Sequence, residues 1–297
     1  MEMHWHWMIV IYLFLGGLGA GAYLTSFAAE RGWLGANSNL QRAGYYLAAP
    51  IVAIGTVLLV FDLGQGLSKP WLLVRLLFNL NSVMTWGVYI LALFIVVGLI
   101  KGFCVFRKIS APKILSWAGA ILALATGTYT GMLLAVIGAV PLWNTWLMPV
   151  LFVLSALSTG LSLTSLIAAR VEKGKTGHRK EGFFHIVLMV LELIVVVVFI
   201  TLMATGGNGS VGQDSAEFLI SGVYALAFWG YFIALGLVFP LVVFLIQHRR
   251  TAKQTTEAIH HTYLVKVTDI AVLVGGFTLR ALIIFAALPI WDGVTIP

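Results

Sequence analysis

The residues best suited to chemistry gather between positions 61 and 87. Phe61-Asp62-Leu63-Gly64-Gln65-Gly66 closes one apolar run with an acid, and Lys69-Pro70 and Arg75 place fixed positive charge in the loop that follows. Asn81-Ser82-Val83-Met84-Thr85-Trp86-Gly87 then opens the next run with small, polar and aromatic side chains. A carboxylate beside fixed cations and a hydroxyl can take a proton from a bound ligand and hold its polar atoms, which is the task of a general base and its positioning partners. Elsewhere, Tyr12, Tyr129, His185, Glu192, Asp269 and Arg280 stand out as reactive or ionisable groups set in apolar sequence.

The elements that must position these groups are membrane helices. Of the 297 residues, 60% are hydrophobic and 10% charged, the balance of a polytopic membrane protein rather than of a soluble domain. Runs able to cross roughly 30 Å of hydrocarbon fall at about 7–28, 43–63, 82–100, 112–137, 143–168, 184–205, 216–246 and 265–290. They predict an all-α bundle of eight transmembrane helices forming a single integral membrane domain over 1–297. Its first four-helix half, 1–140, holds the loop described above, and 141–297 is the second half. The first run has no basic stretch before it and no small-residue cleavage site after it, so it reads as a span rather than a signal peptide. Non-helical backbone at membrane depth must face water or be covered by protein; the loop at 61–87 is therefore expected to wall a site.

A net charge of +7 invites a nucleic-acid partner, and its distribution rejects one. Arg31, Arg42, Lys101, Arg107, Lys108, Lys113, Arg170, Lys173, Lys175, Arg179, Lys180, Arg249, Arg250, Lys253 and Lys266 fall in connections on one side, against Lys69 and Arg75 on the other. The positive-inside rule then puts both termini on the outer side, as in the inner membrane of a bacterium or archaeon. Tyr12 lies roughly 8 Å below the interfacial Trp7, and Tyr129 roughly 26 Å along a helix that starts on the inner side. Tyr12, Asp62, Tyr129 and Arg280 thus share the outer level on four helices, next to Lys69, Arg75 and Ser82. Phenol, carboxylate and cation at one level suit a quinone head group, whose carbonyl oxygens need donors and whose quinol needs a base beside its hydroxyls. Anchoring of helix ends at the interface is the plainer role for the same residues.

Two further helices carry ionisable groups inside the membrane. His185 and Glu192 are seven residues apart, on one face, with Glu192 roughly 12 Å deep; Asp269 sits near the inner end of the last span and Arg280 deeper. Such groups are costly unless paired or wetted, and so mark function. They form either an inner half-channel for protons or a Glu192–Arg280 pair that fixes packing. The strip Gly16-Gly17-Leu18-Gly19-Ala20-Gly21-Ala22 invites close helix approach, while Ser155, Ser158, Thr159 and Ser162 are expected to bond their own helix.

Other chemistries find no support in the sequence. Di-haem binding needs facing histidines within spans, and only His185 is so placed. The single cysteine, Cys104, excludes disulfides and a cluster held by this chain's own thiolates. A secondary transporter would show interrupted helices in matching halves, and no clear internal repeat relates 1–140 to 141–297. A purely structural anchor remains the other alternative.

Taken together, Trp5-His6-Trp7, the Gly-rich first helix, Asp62-Leu63-Gly64, Asn81 to Gly87, Tyr129, Val140-Pro141-Leu142-Trp143-Asn144 and Leu279-Arg280-Ala281 resemble the NrfD/polysulfide-reductase membrane-subunit (PsrC-like) family. The likeness is strong over about 5–170 and thins towards the C-terminus, where the Arg280 segment is the best match. It implies an eight-helix quinone-binding anchor without haem or iron-sulfur cluster of its own, working with a quinone such as menaquinone. It also implies a docked ferredoxin-like subunit carrying 4Fe-4S clusters, which leads to a molybdenum bis-pterin catalytic subunit. By resemblance Tyr129, with the region of Tyr12 and Asp62, contacts the head group. Some members place Asn and His where this sequence has Ile9 and Tyr12, and a phenol there can still donate. Lys69 and Arg75 are expected to meet the partner or offset negative charge.

Overall fold

The computed structural model describes residues 7–35, 38–62, 78–79, 81–171, 179–253 and 263–290, without the side chains of 38, 62, 171, 179, 250–253 and 263. Within these, every regular element is helical: α1 Trp7–Glu30, α2 Ser38–Asp62, α3 Val83–Phe106, α4 Lys113–Ala135, α5 Leu147–Val171, α6 Arg179–Ala204, the short α7 Ser210–Ile220, α8, and α9 Tyr263–Phe285. In α8 a π-helical stretch, Ala227–Val238, runs on as the α-helix Phe239–Lys253. All but α7 are long and apolar enough to span a bilayer, giving eight spans, and the chain is a multi-pass membrane protein. Lipid offers no partner to exposed backbone, and a helix satisfies its own N–H and C=O groups.

The spans alternate in direction. Calling the end at which α1 begins the upper end, the lower ends of α1 to α4 meet where Glu30, Tyr45, Lys101 and Ser116 touch, and Gly87 meets Tyr129 near the top. α1 to α4 form one ring of contacts, and α5, α6, α8 and α9 form another. α1 and α5 join them through backbones in contact: a Cβ on Gly21 would overlap the Ala156 carbonyl, and one on Gly160 would overlap Gly21. That is the function of the small-residue strip in α1, since dispersion between close surfaces replaces the hydrophobic drive that lipid cannot supply. Gly236 and Gly275 join α8 to α9 in the same way.

Two of the departures from the expected boundaries bear on what is buried. The seventh apolar run, expected at 216–246, is divided: α7 ends at Ile220, a turn follows, and the span begins at Ala227. Ser221 and Gly222 both donate to the Glu217 carbonyl, which closes α7. The third span, expected to stop at residue 100, continues to Phe106. Lys101, taken as a loop cation, is therefore inside the bundle and only 3% exposed.

Candidate functional site

Tyr12 on α1 is fully buried, and Tyr129 on α4 nearly so. Their hydroxyls are neighbours, yet that of Tyr12 closes no hydrogen bond. A buried donor without an acceptor is costly, of the order of 1–3 kcal/mol. Tyr129 is held by the next helix: its ring occupies the notch left by Gly87 on α3, where any Cβ would overlap it. Ser82 caps the upper end of α3 with extended backbone, its hydroxyl making no capping hydrogen bond, about 7 Å above Gly87 by helical rise. Gly55 on α2 packs against the Tyr12 carbonyl, so Asp62, seven residues on, ends its helix about 10 Å higher. The side chain of Asp62, and Lys69 and Arg75 altogether, lie outside the described residues.

Arg280 on α9 is completely buried at the junction of α1, α5 and α9. Its Nη1 donates to Ser155 Oγ at 2.9 Å and to the Gly276 carbonyl at 2.7 Å, and its Nε to the Leu13 carbonyl at 3.3 Å. Phe152 and Phe14 lie 5.3 and 5.7 Å from its guanidinium carbon. No ion pair of 4.0 Å or less joins it to Glu192 among the described residues. Ser155 instead stands between them, bonded to Arg280 and adjoining Glu192. Arg280 thus grips the backbone of Leu13, next to Tyr12, and links the upper phenols to the second ring.

Below it runs a line of serines. Ser155, Ser158, Ser162 and Ser165 recur at 3, 4 and 3 residues, so they share one face of α5, and all are buried. Glu192 adjoins Ser155 and Ser158; Asp269 adjoins Ser162, Ser165 and Glu181 and lies 3.9 Å from His185 Nε2. Ser165 donates to Glu181 at 2.7 Å, and the His185 ring stacks on Phe244. The expectation that these hydroxyls serve their own helix holds for Thr159, which bonds the Ser155 carbonyl, and fails for Ser155, which accepts from Arg280, and for Ser158 and Ser162, which bond no protein group; Ser165 likewise reaches another helix. Ser158 and Ser162 Oγ, Glu192 Oε2 and both Asp269 oxygens have no hydrogen-bond partner.

A second buried cluster was missed by the sequence reading. At the lower end of the first ring Lys101 Nζ lies 3.1 Å from Glu30 Oε2, donates to Ser116 Oγ at 2.6 Å, and sits 4.8 Å above the Tyr45 ring. Tyr45 donates to Glu30 Oε2 and Ser116 to Oε1. The available signal was the apolar Gly102-Phe103-Cys104-Val105-Phe106 beyond Lys101, which continues the span past the charge. No group of three or more His, Cys, Asp or Glu suited to a metal ion occurs among the described residues.

Above the phenols, the segment Val140-Pro141-Leu142-Trp143-Asn144 closes the bundle. Trp143 is fully buried and donates Nε1 to the Ile283 carbonyl at 2.7 Å. Asn208 clasps the carbonyls of Pro141 and Asn144.

Comparison with known proteins returns one consistent answer. The family model described as "Polysulphide reductase, NrfD" matches residues 1–290. The chain is 31% identical over 314 residues to the Protein NrfD homolog of Haemophilus influenzae, covering 95% of this chain and 94% of that one. A polysulfide reductase subunit of Wolinella succinogenes is 29% identical over 309 residues, with 95% and 93% covered. Protein NrfD of Escherichia coli is 30% identical over 273 residues, with 80% and 83% covered.

Proposed function

The chain belongs to the NrfD polysulphide reductase family, and on that footing we propose that it is the quinone-reactive membrane subunit of a respiratory oxidoreductase complex. The observation that carries this reading is the pair of buried phenols, Tyr12 and Tyr129, adjoining near the upper end with one hydroxyl unpartnered. A quinone contributes a two-electron, two-proton couple. Tyr12 and Tyr129 donate hydrogen bonds to its carbonyl oxygens, Ser82 and Arg75 border the head group, and Asp62 at the end of α2 accepts the two protons released on oxidation in turn, handing each to water at that end. Electrons pass to a docked ferredoxin-like subunit with 4Fe-4S clusters and thence to a molybdenum bis-pterin subunit. The name of the Wolinella relative, one subunit of a polysulfide reductase, supports such an assembly, and Lys69 and Arg75 are assigned to its docking. The excess of cations in the lower connections supports placing the upper end on the outer side of a cytoplasmic membrane. The reading is tested by titrating the purified chain, and then the intact complex, with a fluorescent quinol analogue. Saturable quenching weakened by both Tyr129→Phe and Asp62→Asn is expected; absence of saturable binding in the complex overturns it.

A second reading concerns protons. The serine face of α5, flanked by Glu181, His185, Asp269 and Glu192 and ending at Arg280, supports a half-channel from the lower end towards the phenols. Buried polar atoms without protein partners are commonly bridged by water, and water between carboxylates passes protons. Glu192→Gln in vesicles should lower charge movement while leaving quinol oxidation intact; unchanged proton movement overturns the channel. A mere anchor would need neither the phenol pair nor this line, and a proton-coupled transporter would need the line but not the phenols.

A further inference from the structure

A groove of about 390 Å³ opens on the lower half of the bundle, where α1, α4, α5 and α6 converge. Phe27, Trp117, Leu124, Leu157, Leu161 and Leu188 are among its walls. Its one hydroxyl, that of Thr25, is spent on the Gly21 carbonyl. The volume falls within the range of small-ligand sites, and the lining accepts hydrocarbon only.

Arg31, in the turn that follows α1, stands at the groove. Its guanidinium carbon lies 5.3 Å from the Phe27 ring and 5.1 Å from that of Trp117, both wall residues. Nε and Nη2 are buried and have no hydrogen-bond partner. The neighbouring acid does not serve it, because Glu30 is engaged by Lys101, Tyr45 and Ser116, and no described acid lies within 4.0 Å of Arg31. A half-buried cation with two nitrogens, three N–H groups in all, left idle calls for an anion. Exposed Lys113, Arg170 and Lys180 sit at the same end of α4, α5 and α6.

We propose that this groove seats an anionic phospholipid, one acyl chain lying along the apolar wall and the phosphate meeting Arg31. Only an amphiphile joins negative charge to a hydrocarbon chain in the order the protein offers. A quinone tail would fill the wall and leave Arg31 unmet, and a free phosphate would leave the wall unused. Basic pockets between membrane helices recognise lipid head groups by the same charge complementarity.

The test is native mass spectrometry of the full-length, delipidated chain titrated with phosphatidylglycerol or phosphatidylcholine of identical acyl chains. One phosphatidylglycerol adduct is expected, preferred by about fivefold, the worth of one basic residue at a membrane surface. Arg31→Gln should bring the two lipids to parity, and Lys113→Gln should keep the preference. Leu124 is 49% exposed, so Leu124→Trp leaves the core intact while filling the groove, and should remove the adduct of either lipid even if Arg31→Gln folds poorly. Parity in the unmodified chain, equal loss in Lys113→Gln and Arg31→Gln, an adduct that survives Leu124→Trp, or retention of a quinone in place of the phospholipid would each overturn the assignment.

Discussion

The two four-helix rings treat their deepest acids differently. In the ring of α1 to α4, Lys101 is held by Glu30 and Ser116, and Glu30 also accepts from Tyr45 and Ser116. In the ring of α5, α6, α8 and α9, Glu192 and Asp269 are as deeply buried, yet three of their four carboxylate oxygens accept no hydrogen bond. Paired charge in a low-dielectric bundle fixes one arrangement of helices, because removing either member strands the other. A column with lone pairs to spare is a poor clamp and a better place to hold water. An ionisable group inside a membrane therefore marks function only after its partners have been counted.

The largest effect that would break this comparison belongs to Lys101→Met, which should strand Glu30 and lower stability by about 3 kcal/mol. Thermal unfolding in detergent reads it, and adding Glu30→Gln in the same chain should restore part of the loss. If Lys101→Met unfolds no more readily than Glu192→Gln, the contrast between the rings is wrong. Arg280→Met comes next, at about 2 kcal/mol, since it forfeits charge-assisted bonds to Ser155, Gly276 and Leu13; the same melts check it. Tyr129→Phe should leave the melting temperature in place and weaken quinol-analogue binding by about 1 kcal/mol, one hydrogen bond's worth. The smallest expected change is that of Ser158→Ala, within about 0.5 kcal/mol in the melts, because its hydroxyl has no protein partner to lose. A larger loss would show that this hydroxyl is tied into the column by bound water.

Part of the geometry of the candidate site was legible in the sequence. Tyr12 and Tyr129 were matched by depth alone, which works because a helix advances 1.5 Å per residue and the membrane gives every span a common origin. The same ruler set His185 and Asp269 at one level, and the structure brings them to 3.9 Å. It failed for Lys101, where charge was taken as the end of a span: hydropathy averages over a window and cannot tell that Glu30, seventy-one residues earlier, is waiting at the same depth. It failed again for the serines of α5, whose choice between their own carbonyls and a facing helix depends on which side chain that helix presents.

Eight spans, their alternating course and the depths of Tyr12, Tyr129, His185 and Asp269 follow from the sequence, because each depends only on local hydrophobicity and a fixed rise per residue. Tertiary structure alone decided lateral neighbours: Tyr12 beside Tyr129, Ser155 between Arg280 and Glu192, Lys101 upon Glu30, Arg31 against a bare apolar groove. A rise per residue fixes depth but not azimuth, and azimuth comes from which small residues let which backbones touch, as Gly21 and Gly160 do where the two rings meet.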